Sequence, residues 1–217
     1  VGNKGFALYG NDSTLTVNGG NYNFANNGSL AYLENNAVLN YNNAGTLTTS
    51  SEPMLYIINS KAQMNNNDII VSSTGIYMTG TSSFGGWNNM TLNNGSTGIY
   101  VDNSNATIDG KKITGTSDKA KGIVSINSNV TNNADMEFSS DDSIGIFSQN
   151  KSSAVKNIVN NGNINIAGAG GNSLSSGIAI LEDGNLTGNA SIRAYTGKVL
   201  NKGTISVSGG EGNTGMV

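Results

Sequence analysis

Apolar residues in this chain come in short alternating groups, separated by Asn, Gly, Ser and Asp. One group recurs: a small residue, an apolar anchor, an outward position and a second apolar residue. It stands at Gly5-Phe6-Ala7-Leu8, Ser29-Leu30-Ala31-Tyr32, Met54-Leu55-Tyr56-Ile57, Gly75-Ile76-Tyr77-Met78 and Gly98-Ile99-Tyr100-Val101. It continues at Gly122-Ile123, Gly145-Ile146, Gly177-Ile178 and Gly215-Met216, with anchor spacings of 24, 25, 21, 23, 24, 23, 32 and 38. A second feature follows seven residues after many anchors, at Ala37, Ala62, Ser83, Ala106 and Val130, with Leu39, Met64 and Ile108 two residues further on. A third pair follows at Tyr22/Phe24, Ile69/Val71, Met90/Leu92, Met136/Phe138, Ile164/Ile166 and Ile205/Val207. Each pair alternates with period two, the mark of a strand with one buried face.

Three short strands in a repeat of about 23 residues describe one coil of a solenoid, whereas a propeller blade needs about 40 residues and four strands. The expected fold is an all-β, right-handed parallel β-helix with three strands per coil and about nine coils, a rod roughly 40 Å long. Its spine is the column Phe6, Leu30, Leu55, Ile76, Ile99, Ile123, Ile146 and Ile178. The residue after each anchor then falls on the exterior, and the column reads Ala7, Ala31, Tyr56, Tyr77, Tyr100, Val124, Phe147 and Ala179. Tyr56, Tyr77, Tyr100 and Phe147 form a candidate binding stripe for a sugar, a protein or a covering loop; cross-strand stacking is the alternative account. At Val124 the parity is open, because Ser125 would then face inward.

Composition sharpens this picture. The chain holds 30 Gly, 37 Asn, 26 Ser and 18 Thr among 217 residues, which argues against a helical domain, since Gly, Asn, Ser and Thr favour turns. Asn and Gly tolerate the left-handed angles that sharp corners need. The pairs Asn66-Asn67, Asn88-Asn89, Asn132-Asn133 and Asn160-Asn161 precede third strands, so they read as corner residues able to hydrogen-bond along the axis. Long stretches at 167–176 and 183–199 interrupt the repeat and are the expected protruding loops. Trp87 follows Gly85-Gly86, a signal for a bend, and is either displayed or plugs the core.

Cys and His are both absent, which removes Cys and His nucleophiles, Ser-His-Asp triads, disulfides and the usual zinc ligand sets. Arg193 is the one arginine and net charge is −3, which argues against a nucleic-acid partner. No apolar run approaches the length of a membrane-spanning helix. A polysaccharide-active enzyme would need paired carboxylates. The best candidates are Asp135, Glu137, Asp141 and Asp142. Asp135 and Glu137 alternate on one strand and are weak candidates for half a calcium site, against the preferred reading of a solvated face. No cofactor and no catalytic residue is assigned.

The phrases Thr74-Gly75-Ile76-Tyr77, Thr97-Gly98-Ile99-Tyr100 and Asn160-Asn161-Gly162-Asn163-Ile164-Asn165-Ile166, with the variant Asn201-Lys202-Gly203-Thr204-Ile205-Ser206-Val207, carry a resemblance. In repeat style the whole chain resembles the passenger of a type V autotransporter, and in texture the large fusobacterial autotransporter adhesins. The resemblance implies a single segment, 1–217, cut from a longer passenger at the outer membrane. It also implies a C-terminal membrane barrel outside this segment, and adhesion to a receptor on host cells or other bacteria. A chain without cysteine suits threading through a narrow barrel. The alternative expectation is a polysaccharide-active β-helix enzyme or a carbohydrate-binding protein of phage tailspike type.

Overall fold

The computed structural model describes residues 5–20, 28–49, 51–150, 155–167, 174–182, 197–209 and 213–217. These form a parallel β-solenoid in which every strand pair is parallel. The first face stacks Gly5–Asn11, Gly28–Glu34, Leu55–Ile58, Thr74–Gly85, Thr97–Asp109, Lys121–Ile126, Ile144–Asn150, Ser176–Glu182 and Thr214–Met216. Two of these strands, Thr74–Gly85 and Thr97–Asp109, run on into the second face, which also contains Thr14–Val17, Val38–Tyr41, Lys61–Met64, Asn129–Asn132, Asn157–Asn160 and Lys198–Asn201. The third face stacks seven strands, from Thr46–Thr48 through Asp68–Val71, Asn89–Leu92, Lys112–Gly115, Asp135–Phe138 and Ile164–Ala167 to Ile205–Ser208. Nine first-face starts therefore close fewer full turns, about six, than the nine coils expected from the repeat.

From Leu55 onward the spine follows the repeat. Leu55, Ile76, Ile99, Ile123, Ile146, Ile178 and Met216 are vertical neighbours. The third-face pairs also stack as spaced, with Ile69, Met90, Ile113, Met136, Ile164 and Ile205 in one buried or half-buried column. Tyr22 and Phe24 lie outside the described residues, as do most of the 167–176 and 183–199 stretches.

Three registers differ from the sequence reading. In the first two coils the spine position belongs to Leu8 and Ala31, not to Phe6 and Leu30, because Ala31 pairs Leu55 and Leu8 pairs Ala31. The cause is a column that the repeat marks with glycine. Gly75, Gly98, Gly122, Gly145 and Gly177 sit so close to the next coil that a Cβ on each would lie 2.5–2.7 Å from the following glycine carbonyl oxygen. Only glycine fits this approach. Met54 and Leu30 continue the same column, with Leu30 N donating to Met54 O at 2.8 Å and Met54 N to Gly75 O at 2.6 Å. Gly5 and Ser29, which precede Phe6 and Leu30, are small residues outside this column, so alignment on them slips the first two coils, and Phe6 lies outside, 42% exposed.

On the second face Ala62 pairs Leu39, and Phe84 rather than Ser83 continues inward to Ile108; Ser83 pairs Lys61 and Thr107 on the outside. The slip arises at the corner, where Gly80 has φ +68° and Asn103 opposite it is an extra residue in the register. At Val124 the parity is settled as outward, against Tyr100 and Phe147, while Ser125 is fully buried.

Corners use the residue types expected of them. Between first and second strands Asp12, Asn35, Asn59, Asn103 and Asn127 all have left-handed φ between 45° and 54°. Trp87 is a plug: it is 1% exposed, stacks on Phe84 at 4.5 Å and 10°, and donates Nε1–H to Lys112 O at 3.3 Å. Gly110 leaves room for the indole.

Candidate functional site

The exterior column of the first face is the most distinctive surface. The corrected register puts Tyr9 and Tyr32 at the head of it, so it reads Tyr9, Tyr32, Tyr56, Tyr77, Tyr100, Val124, Phe147 and Ala179. Five tyrosines thus stack on five consecutive coils, where the sequence reading had Ala7 and Ala31 in the first two places. A signal was present: five tyrosines recur at spacings of 23, 24, 21 and 23, each within two residues of the repeat length.

Successive ring centroids lie 6.2, 5.8, 5.8 and 5.9 Å apart, with interplanar angles of 26°, 30°, 47° and 11°. Phe6 caps the outside of the column, 5.1 Å from the Tyr32 ring and 5.7 Å from that of Tyr56. Three of these pairs are stacked and Tyr56–Tyr77 is tilted, arrangements that favour aromatic pairs. Tyr32, Tyr56, Tyr77, Tyr100 and Phe147 are half-buried, and Tyr9 is 58% exposed.

Carboxylates flank the column. Tyr9 donates its hydroxyl to Glu34 Oε1 at 2.5 Å, Tyr56 to Glu52 Oε2 at 2.8 Å, and Tyr77 to Asp102 Oδ2 at 3.5 Å. Partial burial and the bond to Glu52 push the Tyr56 phenol up to about 12. Burial, and then the Asp102 charge, raise Tyr77 and Tyr100, while the Glu34 hydrogen bond raises Tyr9. All these phenols are neutral donors at neutral pH.

The acidic candidates lie elsewhere. Asp135 and Glu137 share the outer side of a third-face strand, but Glu137 Oε2 pairs with Lys112 Nζ at 3.0 Å and Asp135 Oδ1 accepts from Asn163 N at 2.8 Å. The Asp141 amide donates to Asp118 Oδ1 at 3.1 Å, and Asp142 Oδ1 accepts from Leu174 N at 3.0 Å, both serving a corner. Among the described residues no group of three or more acidic side chains is placed to hold a metal ion.

In the pairs Asn132-Asn133 and Asn160-Asn161, the axial bonding expected of the paired asparagines is realised inside the core by the first residue of each. Asn132 Nδ2 donates to Asn160 Oδ1 and Asn160 Nδ2 to Asn201 Oδ1, both at 2.7 Å. The same Nδ2 atoms reach the carbonyls of Ala134 and Gly162 at 2.8 and 2.7 Å, and Asn201 Nδ2 reaches Gly203 O. This ladder is inside the core, with Asn132 and Asn160 fully buried, and it holds the third corner rather than a ligand. No known family model, curated protein or solved structure matches this chain.

Proposed function

We propose that the chain is a structural and adhesive segment of a secreted bacterial surface protein, a stiff rod that carries contact surfaces away from the cell to meet a receptor on host cells or other bacteria. The reading is supported above all by the unbroken vertical register from Leu55 to Met216, which ties each coil to its neighbours by parallel strand pairing. The first-face column supplies the contact surface in this reading, with Tyr56, Tyr77, Tyr100 and Phe147 at its centre. The carboxylates of Asp135 and Asp142 are spent on backbone amides, which favours a non-catalytic role.

Beads coated with the segment test the proposal. They are expected to adhere to epithelial cells or to other bacteria, and Tyr77→Ser with Tyr100→Ser is expected to reduce adhesion while leaving far-UV circular dichroism intact. Unchanged adhesion by the double variant would remove the column from the reading. Failure of the wild-type beads to adhere to any surface would leave a stalk without adhesive function.

A further inference from the structure

A phenol gives up an electron most readily when its proton has an acceptor, and two oxidised phenols join through the ring carbons beside their hydroxyls. Both steps need a partner held close, a carboxylate for the proton and a second ring for the bond. The first-face column supplies both. Its tyrosines follow one another at ring-centroid distances of 6.2, 5.8, 5.8 and 5.9 Å. Tyr9, Tyr56 and Tyr77 donate their hydroxyls to Glu34, Glu52 and Asp102.

The four pairs are not alike. Tyr77 and Tyr100 are the most nearly parallel, 5.9 Å apart at 11°. The Tyr77 hydroxyl reaches Asp102 Oδ2 at 3.5 Å, a carboxylate of the next coil two residues after Tyr100, so Tyr77 leans towards the ring it would join. The Asp102 charge acts on both phenols, which places both hydroxyls near it. Tyr56 and Tyr77 diverge instead: Tyr56 donates to Glu52, on the opposite flank of the column from Asp102, and the two rings are tilted by 47°. Phe6 lies over Tyr32 and Tyr56, 5.1 and 5.7 Å from their rings, and packs against both. Tyr9 has an acceptor in Glu34, but its ring stands 6.2 Å from that of Tyr32, the widest gap in the column.

We propose that Tyr77 and Tyr100 are a site of oxidative cross-linking, at which a peroxide acting through a one-electron peroxidase joins the two rings as dityrosine. Each phenol gives one electron to the oxidant and loses its hydroxyl proton, Tyr77 to Asp102 and Tyr100 to water. The two phenoxyl radicals pair their odd electrons in a new carbon–carbon bond between positions ortho to the hydroxyls. Each ring then passes the hydrogen on that carbon to its own oxygen, which restores both phenols. The tyrosines together lose two electrons and two protons, and the peroxide takes up both to become two molecules of water. Closure from 5.9 Å is a matter of side-chain rotation, because register already holds the two residues as partners on adjacent strands ~4.8 Å apart. The product ties one coil to the next across the 23 positions from Tyr77 to Tyr100, as a disulfide would. This site needs no receptor and goes beyond the adhesive reading of the same column.

Treatment of the dilute segment with hydrogen peroxide and a haem peroxidase tests the proposal. The monomer, separated from intermolecular products, is expected to lose the mass of two hydrogen atoms and to gain dityrosine fluorescence. Digestion with chymotrypsin, which cuts at Phe84 and Trp87 between the two tyrosines, is expected to leave their peptides linked. Tyr77→Phe and Tyr100→Phe, which keep the stacked rings, are each expected to cut the monomer's dityrosine yield about tenfold or more, and Tyr56→Phe to leave it within about twofold. Asp102→Asn keeps the shape of the flank and is expected to slow the coupling about tenfold; an unchanged rate would overturn the proton route. Oxidation of the chain in denaturant is expected to lose the preference for this pair. No dityrosine in the monomer, a link mapped to another pair, an undiminished yield from Tyr77→Phe, or the same preference in denaturant would each overturn the proposal.

Discussion

The inner column of the second face is filled in two ways. In the first five coils it is apolar throughout: Leu15, Leu39, Ala62, Phe84 and Ile108. In the next three it is Asn132, Asn160 and Asn201. Backbone register does not change across the join, because Ile108 pairs Asn132 as directly as Phe84 pairs Ile108. The apolar half gains from removing hydrocarbon from water. The amide half gains little from burial, and is tolerable because each amide is bonded to a neighbouring amide and to a carbonyl at the adjacent corner, Asn160 to amides on both sides. Stacking identical residues solves the problem of a buried polar side chain, and a lone one would not.

Substitutions can break either half. Phe84→Ala removes a ring that packs on Trp87 and is expected to destabilise the fold by about 3–5 kcal/mol, read from the shift of the denaturation midpoint. Asn160→Ala leaves Asn201 Oδ1 and Gly162 O without their donor and is expected to lose about 2–3 kcal/mol. Replacing Asn132, Asn160 and Asn201 together by Leu sharpens the contrast: no side-chain amide then faces a lost one, but the carbonyls of Ala134, Gly162 and Gly203 each lose a donor, so the triple variant is expected to be less stable than wild type by the same denaturation. Ser125 gives the converse case. It sits in the inner first-face column between Val101 and Ser148, fully buried, and its hydroxyl has no partner. Ser125→Ala is expected to raise stability by up to about 1 kcal/mol, measured by the same denaturation.

The smallest expected effect belongs to the outer column. Folded Tyr56 holds its proton more tightly than the unfolded chain does, so its contribution is fully present below pH 10.0 and is lost as pH rises through about 12. The stability difference between wild type and Tyr56→Phe is expected to fall across that window. A difference that stays constant from pH 9 to 12 would contradict the burial and hydrogen bond assigned to this phenol.

Much of the fold was legible because glycine is obligatory at one position of each later coil, and the apolar residue after it marks the spine. The first two coils were misread because Gly5 and Ser29, small residues outside that column, precede Phe6 and Leu30, while the column position of the second coil is held by Leu30 itself. Tyr9 and Tyr32 were lost with that shift. The Asn ladder was legible in part: the pairs Asn132-Asn133 and Asn160-Asn161 pointed to asparagines bonded along the axis, but not to which of each pair is buried. Asn160 inside the core and Asn161 on the surface are neighbours in a sequence of 37 asparagines, and only the direction of the strand tells them apart. Trp87 was ambiguous until Gly110, more than twenty residues away, was seen to make room for it.

Vertical register is the claim on which the rod, the tyrosine column and the Asn ladder all depend. The chain has no cysteine, so pairs can be introduced cleanly. Residues on adjacent parallel strands lie ~4.8 Å apart, within the Cα range a disulfide accepts, whereas two rungs lie ~9.6 Å apart, beyond it. Oxidation of the Tyr77→Cys/Tyr100→Cys variant is expected to form an intramolecular disulfide readily, and that of Tyr77→Cys/Val124→Cys is not. A disulfide in the second pair and none in the first would contradict the stacking.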